Sequence, residues 1–284
     1  GQGWRGDARE TPAKAKGEGA SLHTHSKIDR SLYQGTVNEK HALRNVSIGI
    51  AAGEFVTVIG SNGAGKSTLL NVVAGKLHPD GGTVTISGRD VTRLSDHDRA
   101  SMIGRVFQDP RAGTAPEMTI EENLAIAYTR GKARGLRRGV TKQRRDLFAS
   151  ELATLEQGLE NRLNTRVATL SGGQRQALSL LMATFSEPKI LLLDEHTAAL
   201  DPQRAALVVR LTRELVERHR PTTLMVTHNM EQALELGDRL IMMHDGEVVV
   251  DVSGERTARA TVADLLTAFQ EVRGAALPDR PLPG

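Results

Sequence analysis

The sequence contains no cysteine among its 284 residues. This absence excludes thiolate nucleophiles, cysteine-ligated zinc, iron–sulfur clusters and thiol redox sensing as the basis of its function. With 25% charged and 39% apolar residues, the composition is that of an ordinary globular chain. A chain of this length buries about three quarters of the surface that it exposes when unfolded, so its core needs neither a disulfide nor a metal.

A long apolar run and an excess of one charge are also missing. No stretch of about 18 apolar residues occurs, so no membrane-spanning helix is predicted. The first 27 residues lack the apolar segment of a secretory signal peptide. The 37 basic and 34 acidic residues nearly balance, which argues against binding of nucleic acid. We therefore expect a cytoplasmic protein with no nucleic-acid partner.

From about residue 42 onward, short apolar strands alternate with helical stretches, which is typical of an α/β protein with a parallel sheet covered by helices. Residues 1–27 and 274–284 are expected to be flexible tails, which leaves one folded domain over 28–273. Within this domain, residues 109–186 have helical spacing and predict a helical subdomain, and 258–273 predict a last amphipathic helix. The predicted strands are 55–59, 83–86, 103–107, 190–193, 224–227, 240–243 and 247–250, the last two joined by an Asp-Gly hairpin turn.

The strongest motif is a glycine-rich loop between the strand at 55–59 and the helix at 68–74. Its residues, Gly60-Ser61-Asn62-Gly63-Ala64-Gly65-Lys66-Ser67, fit the phosphate-binding pattern G-x-x-x-x-G-K-[ST]. Glycines let backbone amides approach phosphates closely, Lys66 reaches the β- and γ-phosphates, and the Ser67 hydroxyl can ligate Mg²⁺. The loop and the adjoining Thr68 are therefore predicted to bind a nucleotide.

Two more segments predict parts of the same site. Asp194 and Glu195 stand at the carboxyl end of an apolar strand, the edge at which open α/β sheets bind ligands. Asp194 is suited to hold Mg²⁺ through water, and Glu195 to orient or deprotonate an attacking water. Leu170-Ser171-Gly172-Gly173-Gln174 precedes a helical segment, so Ser171 can cap that helix while the glycines leave amides open to an anion.

The loop at 60–67, the signature segment at 170–174 and the Asp194-Glu195 pair, in this order, resemble the ATP-binding subunit of an ABC transporter. The resemblance covers about residues 28–250. It implies an α/β fold with a P-loop NTPase (RecA-like) core, a helical subdomain and an antiparallel β portion. It also implies that Gln108 senses Mg²⁺, water and the membrane partner, that Asp201 belongs to the D-loop, and that His228 contacts the γ-phosphate.

The resemblance further implies a mechanism, with ATP and Mg²⁺ as the ligands. Two copies of the chain close head to tail, so that Ser171, Gly172, Gly173 and Gln174 of one copy complete the ATP site of the other. ATP binding closes this dimer and hydrolysis reopens it, which drives separate transmembrane permease subunits from the inner face of the cell membrane. The residues implied in hydrolysis are Lys66, Gln108, Glu195 and His228, and those implied in holding Mg²⁺ are Ser67, Gln108 and, through water, Asp194.

Two segments narrow the resemblance. Residues 194–202 and 227–230 most resemble the ATPase subunits of bacterial uptake systems of the tryptophan/tyrosine type, which work with an extracytoplasmic solute-binding protein. We therefore expect uptake of a small solute such as an amino acid. The alternative is a soluble ABC-family ATPase that is not coupled to transport, although translation-type members carry two cassettes and repair-type members a long coiled coil. A non-enzymatic regulator would lack Glu195 or His228, and both are present.

Three features leave alternatives open. Tyr33 is expected to stack on adenine, but a register shift of one would put Leu32 there with a weaker apolar contact. His196 stands where the family commonly has Pro or Ala, and we interpret it as a neighbour that shapes the loop. Residues 130–145 carry eight basic residues and no acidic one. This basic stretch is either a solvated face or a surface that docks, through residues such as Arg137 and Arg138, on the permease or on anionic lipid headgroups.

Overall fold

A computed structural model describes residues 21–32, 40–131 and 140–275. Its strands are β1 (Leu22–Leu32), β2 (Lys40–Val46), β3 (Gly49–Ile50), β4 (Phe55–Gly60), β5 (Gly81–Ile86), β6 (Arg89–Asp90), β7 (Ile103–Val106), β8 (Ile190–Asp194), β9 (Thr222–Val226), β10 (Arg239–His244) and β11 (Glu247–Ser253). Its helices are α1 (Lys66–Ala74), α2 (Asp96–Arg99), α3 (Ile120–Tyr128), α4 (Lys142–Ala153), α5 (Gly172–Thr184), α6 (Pro202–His219), α7 (Met230–Leu236), α8 (Glu255–Arg259) and α9 (Val262–Ala275).

The larger sheet has six strands in the order β11-β10-β4-β9-β8-β7. Pairing is parallel from β10 to β7, and only β11, which follows the Asp245-Gly246 turn, runs antiparallel to its neighbour. All five residues of β9 and the four leucine and isoleucine residues of β8 are buried. Strands covered on both faces need apolar side chains in both directions, which explains their continuous apolar sequence. The predicted α/β core is confirmed.

The two faces of this sheet pack against different elements. Leu192 and Val58 point into one cluster with Leu69 and Leu70 of α1 and with residues of the second sheet. Leu191 and Leu193 point into the other cluster with residues of α5 and α6, such as Leu178. The phosphate loop therefore lies at the carboxyl edge of a sheet that is fixed from both sides.

A second, antiparallel sheet has the order β2-β1-β5-β6, with β3 also paired to β1. It contains the predicted strand at 83–86 and confirms the antiparallel portion. Its strand β1 begins at Leu22, so residues 22–27 belong to the sheet and not to a flexible tail ending at residue 27. Leu22 pairs with Ile50 and Ile86 and is 1% exposed, but the five residues after it are polar, so their sequence carries no apolar periodicity. The rest of the predicted N-terminal tail, residues 1–20, lies outside the described residues.

The predicted C-terminal helix at 258–273 is two helices, α8 and α9. Thr261 starts the second one, because its hydroxyl accepts from the Asp264 amide at 3.3 Å while its own amide donates to the Asp264 carboxylate at 2.8 Å. Such a reciprocal cap begins a new helix and breaks a longer one. Residues 276–284, most of the predicted C-terminal tail, lie outside the described residues.

The helices α3, α4 and α5 all lie within the predicted helical stretch 109–186. Three rings hold them together: Tyr128, Phe148 and Phe185 meet edge to face at centroid distances of 5.6–6.2 Å. Helix α4 ends at Ala153, yet Leu155 after its end is still fully buried in the same cluster.

Among the described residues, no helix combines the length and apolarity needed to cross a membrane.

Candidate functional site

The phosphate loop occupies the turn between β4 and α1, as predicted. Gly60, Gly63 and Gly65 have φ values of +153°, +81° and +99°, in the region that favours glycine. A side chain at Gly60 would collide with the carbonyl oxygen of Met243, and one at Gly65 with that of Ala42. Glycine is thus required at positions 60 and 65 for two reasons, the backbone conformation and the lack of space for a side chain. The loop presents the amino end of α1 to an anion.

Lys66, the first residue of α1, is 6% exposed and reaches back across the loop. Its ammonium donates to the carbonyl oxygens of Gly60 at 2.7 Å and Ser61 at 3.1 Å. Burial lowers the pKa of Lys66, and the nearby charges of Glu195 and Asp194 raise it in part. The cation of the phosphate loop and the two acids after β8 therefore lie within electrostatic reach of one another.

Asp194 is joined to an arginine that the sequence analysis missed. Arg105 of β7 donates to the Asp194 carboxylate at 2.9 Å and, through its other terminal nitrogen, to the side-chain oxygen of Asn71 in α1 at 2.8 Å. Its guanidinium also lies 4.7 Å from the centre of the Phe107 ring. Arg105 thus links the end of β8 to β7 and α1. An isolated arginine in an otherwise apolar strand was the signal, since a half-buried charge needs a partner.

Glu195 has a left-handed backbone with φ +43°, a conformation that costs a residue other than glycine of order 1–3 kcal/mol. Its amide donates to the Val226 carbonyl at 2.9 Å and its carbonyl accepts from Ala198 at 3.0 Å. Its carboxylate oxygen lies 3.3 Å from Nδ1 of His228, which follows β9. The predicted acid and the predicted histidine are therefore neighbours, although one follows β8 and the other follows β9.

The signature segment forms a helix cap, as predicted for Ser171. The Ser171 hydroxyl accepts from the Gln174 amide at 3.3 Å, and the Gln174 side chain accepts from the Ser171 amide at 3.2 Å. Gly173 packs against the side chain of Arg204, and the D-loop residue Asp201 caps α6 by accepting from the Arg204 amide at 3.1 Å. The signature and the D-loop thus lie side by side within one chain.

Gln108 is exposed, just beyond the end of β7. The residue before it is fastened by a second side chain that the sequence analysis missed: buried Gln176 of α5 donates to the Phe107 carbonyl at 3.2 Å. This bond ties the residue before Gln108 to α5, the helix that begins at the signature segment. Tyr33 and the side chain of Leu32 lie outside the described residues, so the contact with adenine stays a prediction.

The oxygen donors at this edge fit a Mg²⁺ ion. Mg²⁺ prefers hard oxygen ligands and is usually held by one or two side chains together with substrate phosphates. Asp194 offers a carboxylate and Ser67 an exposed hydroxyl beside the loop. Within the described ranges, no group of three or more acidic or histidine side chains forms a metal cage of its own. Two protein oxygen ligands are a usual number for a Mg²⁺ ion that binds together with a nucleotide, whose phosphates supply further ligands.

A groove of about 540 Å³ lies between α2 and α3, away from the phosphate loop. It is lined by His97, Ala100, Ser101, Ile126, Thr129, Arg130 and Gly131. Ile126 is 47% exposed there, one of the few large apolar side chains that reach the surface of the described chain. Burial lowers the pKa of Arg130 at its rim.

Part of the basic stretch is used inside the helical subdomain. Arg145 donates to both carboxylate oxygens of Glu121, at 2.7 and 3.0 Å, and to Asn164 at 2.7 Å. The Arg144 guanidinium lies 5.2 Å from the centre of the Tyr128 ring. Arg137 and Arg138, with the rest of 132–139, lie outside the described residues, so a docking role for them stays a prediction.

Comparison with known proteins identifies relatives of the whole domain. The family model for ABC transporters matches residues 43–198. A tyrosine transport ATP-binding protein of Clostridioides difficile is 46% identical over 226 residues, covering 80% of this chain and 90% of that protein. An aliphatic sulfonates import ATP-binding protein of Cupriavidus necator is 35% identical, over 89% of this chain and 74% of its own. Among solved structures, the ATP-binding cassette MJ0796, in a dimeric post-hydrolysis state with ADP and Pi, aligns with a TM-score of 0.70 and 31% identity over 82% of this chain and 98% of that one.

Proposed function

The chain belongs to the ABC transporter family, whose ATP-binding cassettes are ATPases that power transport, and from this premise we propose where and for what it uses ATP. Hydrolysis takes place at the carboxyl edge of the large sheet and energises the uptake of a small solute. The observation that carries the proposed site is the placement of the Glu195 carboxylate, 3.3 Å from His228 and within electrostatic reach of Lys66.

In this proposal each group of site residues has a separate role in ATP hydrolysis. The loop amides and Lys66 bind the nucleotide phosphates, because amides at a helix start and an ammonium both stabilise negative charge. Glu195 orients the attacking water and accepts its proton. The Glu195 carboxylate can only accept hydrogen bonds, so Nδ1 of His228, 3.3 Å away, is the proposed donor to it. A contact of Nε2 with the γ-phosphate needs a proton on that nitrogen as well, so in this proposal His228 joins the acid to the nucleotide as the imidazolium.

Ser67, Asp194 and Gln108 would hold Mg²⁺, with Asp194 acting through water. When bound, the ion neutralises charge on the β- and γ-phosphate oxygens. Arg105 keeps one oxygen of the Asp194 carboxylate occupied at 2.9 Å, so the carboxylate is held in one orientation. Asn71 fixes the same guanidinium to the helix that begins at the phosphate loop.

The signature segment is proposed to act across a head-to-tail dimer. MJ0796, which aligns with 82% of this chain, is described as dimeric, which supports this assembly. In the single chain, a side chain at Gly172 would meet Leu200 and one at Gly173 would meet Arg204, so both glycines face the start of α6 and the residues just before it. Gly172 is exposed, and Ser171 is half-buried at the start of α5. These amides are proposed to bind the γ-phosphate held by the phosphate loop of the second copy.

The dimer is tested by changing Ser171 in two ways. Ser171→Asp keeps a good helix cap but adds a charge that repels phosphate, so we expect this variant to stay monomeric with ATP. Ser171→Thr keeps both the cap and the neutral hydroxyl, and is expected to dimerise like the wild type. The measurement is light scattering after gel filtration, with ATP and with EDTA added to prevent hydrolysis. The trans role of Ser171 would be contradicted if both variants dimerise. It would also be contradicted if neither the variants nor the wild type form a dimer.

Transport requires membrane partners, which we propose to be separate permease subunits and an extracytoplasmic solute-binding protein. The relatives named above are ATP-binding proteins for tyrosine transport and for sulfonate import, which supports uptake of a small solute such as an amino acid. The chain would then sit in the cytoplasm on the inner face of the cell membrane. We propose the groove between α2 and α3, with exposed Ile126, as the surface that contacts the permease.

This surface is tested by Ile126→Glu in cells that express the cognate permease. We expect the variant to be lost from the membrane fraction, because a charge would have to be buried in the contact. Leu266→Glu is the matched control, since Leu266 of α9 is 48% exposed and lies outside the groove. Equal membrane association of both variants would argue against the groove. A wild-type chain that never sediments with the permease would favour a soluble ATPase that is not coupled to transport.

A further inference from the structure

His196, the residue after Glu195, is almost fully buried, with 2% of its surface exposed. Its Nε2 lies 2.9 Å from the hydroxyl of Thr212 in α6, which is also buried. A threonine hydroxyl has one proton, and Thr212 donates it to the Val208 carbonyl at 2.8 Å. Thr212 must therefore accept from His196, so Nε2 carries the imidazole proton.

The Nε2–H group of His196 is therefore the donor of this hydrogen bond, and the Thr212 hydroxyl is its acceptor. A buried polar pair of this kind is directional, since a hydrogen bond fixes an angle and a distance that apolar packing leaves free. The pair joins the turn after β8 to the helix that begins at the D-loop, because α6 starts at Pro202.

The His196–Thr212 hydrogen bond anchors the turn after β8, and the backbone of this turn is strained at Glu195. Glu195 has φ +43°, and a residue with a side chain keeps such a conformation only where its surroundings impose it. The next two side chains are tied to different helices: His196 to Thr212 of α6, and the Thr197 hydroxyl to Gln232 of α7 at 2.8 Å. The backbone that aims the Glu195 carboxylate is thus held from two sides.

We propose that His196 and Thr212 are positioning residues for ATP hydrolysis. Their hydrogen bond fixes the turn after Glu195 and so holds its carboxylate beside His228 in the orientation used with the water. This inference rests on the proposed role of Glu195 as the base. A bond that served folding alone would change stability and leave kcat of the folded enzyme unchanged.

The test compares two substitutions of Thr212. Thr212→Val keeps the shape and removes the hydroxyl, so we expect kcat to fall about 10- to 100-fold, in line with the cost of a misplaced catalytic group. Binding of ATP in EDTA is expected to stay within about twofold, because the phosphate loop is untouched. Thr212→Ser keeps the hydroxyl and is expected to keep kcat within about twofold. Each variant is assayed well below its own unfolding midpoint, measured by circular dichroism.

A double-mutant cycle with Glu195→Gln separates positioning from general damage. If Thr212 acts through Glu195, adding Thr212→Val to Glu195→Gln should lower the residual single-turnover rate by less than about twofold. His196→Asn removes the bond from the other side and is expected to repeat both results, so the cycle does not depend on one variant folding. Equal loss in both backgrounds, or a wild-type kcat in Thr212→Val, would overturn the proposal. A wild-type rate in Glu195→Gln alone would instead refute the role of Glu195.

Discussion

Replacing Glu195 by glutamine is expected to lower steady-state ATP hydrolysis by about 10²- to 10⁴-fold, the range that a positioned general base contributes. Glutamine keeps the size of the side chain and can still accept from Nδ1 of His228, so the local geometry should survive. What is lost is the ability to take a proton from water. The carboxylate is well placed for that task, since it is 17% exposed and 3.3 Å from His228.

ATP binding should be unaffected by this change, because the phosphates are held by the loop amides and Lys66. We expect the affinity for ATP, measured in EDTA, to change by less than about twofold. The Glu195→Gln chain should also accumulate as a dimer when ATP and Mg²⁺ are present, since hydrolysis no longer reopens it. Glu217→Gln on the exposed face of α6 is the control and should hydrolyse ATP at the wild-type rate. Hydrolysis that persists in Glu195→Gln would require a different base.

Replacing Arg99 by methionine is expected to destabilise the fold by about 3–5 kcal/mol, because several buried carbonyl oxygens would lose their donor at a cost of about 1–3 kcal/mol each. Arg99 of α2 has no exposed surface, and within the described part of the chain its guanidinium donates to four backbone oxygens. The acceptors are the carbonyls of Val72 (2.8 Å), Val73 (2.6 Å), Thr92 (3.2 Å) and Leu94 (3.1 Å). Burial lowers the pKa of Arg99 to about 10, so it remains charged at neutral pH.

Two of these carbonyls belong to the last turn of α1, where the negative end of the helix dipole attracts a cation. Methionine would fill the space but leave several buried acceptors without a donor. We expect the unfolding midpoint to fall by roughly 10 °C for a chain of this size. Arg99→Lys keeps the charge but not the planar set of donors of a guanidinium. Its loss of stability should therefore lie between those of the wild type and Arg99→Met.

The control for this prediction is Arg93→Met, because Arg93 is exposed and only six residues away. Its free energy of unfolding, from urea denaturation, should stay within about 0.5 kcal/mol of wild type. Equal stability of the two variants would mean that the buried guanidinium contributes nothing beyond packing. Because α1 begins at the phosphate loop, loss of Arg99 should also weaken ATP binding at temperatures near the midpoint.

Much of the fold could be predicted because its determinants are local. The continuous apolar runs of β8 and β9 and the helix at the phosphate loop follow from contiguous residues. The Asp-Gly turn before β11 does so too. Strand β1 could not be predicted at its start, because after Leu22 it presents five polar residues and takes its order from pairing with β3 and β5. The division of the strands between two sheets was equally invisible, since pairing depends on distant segments.

The sequence by itself determined the chemistry available to this protein: a phosphate loop, two acids after a buried strand, a capped signature helix and a histidine after another strand. These motifs are readable because neighbouring residues act together. Only the tertiary structure decided which side chains hold them. Arg105 and Asp194 are 89 residues apart, Arg99 and Val72 are 27 apart, and His196 and Thr212 are 16 apart. Such contacts are made by the packing of separate elements, which puts polar groups where burial obliges them to find partners.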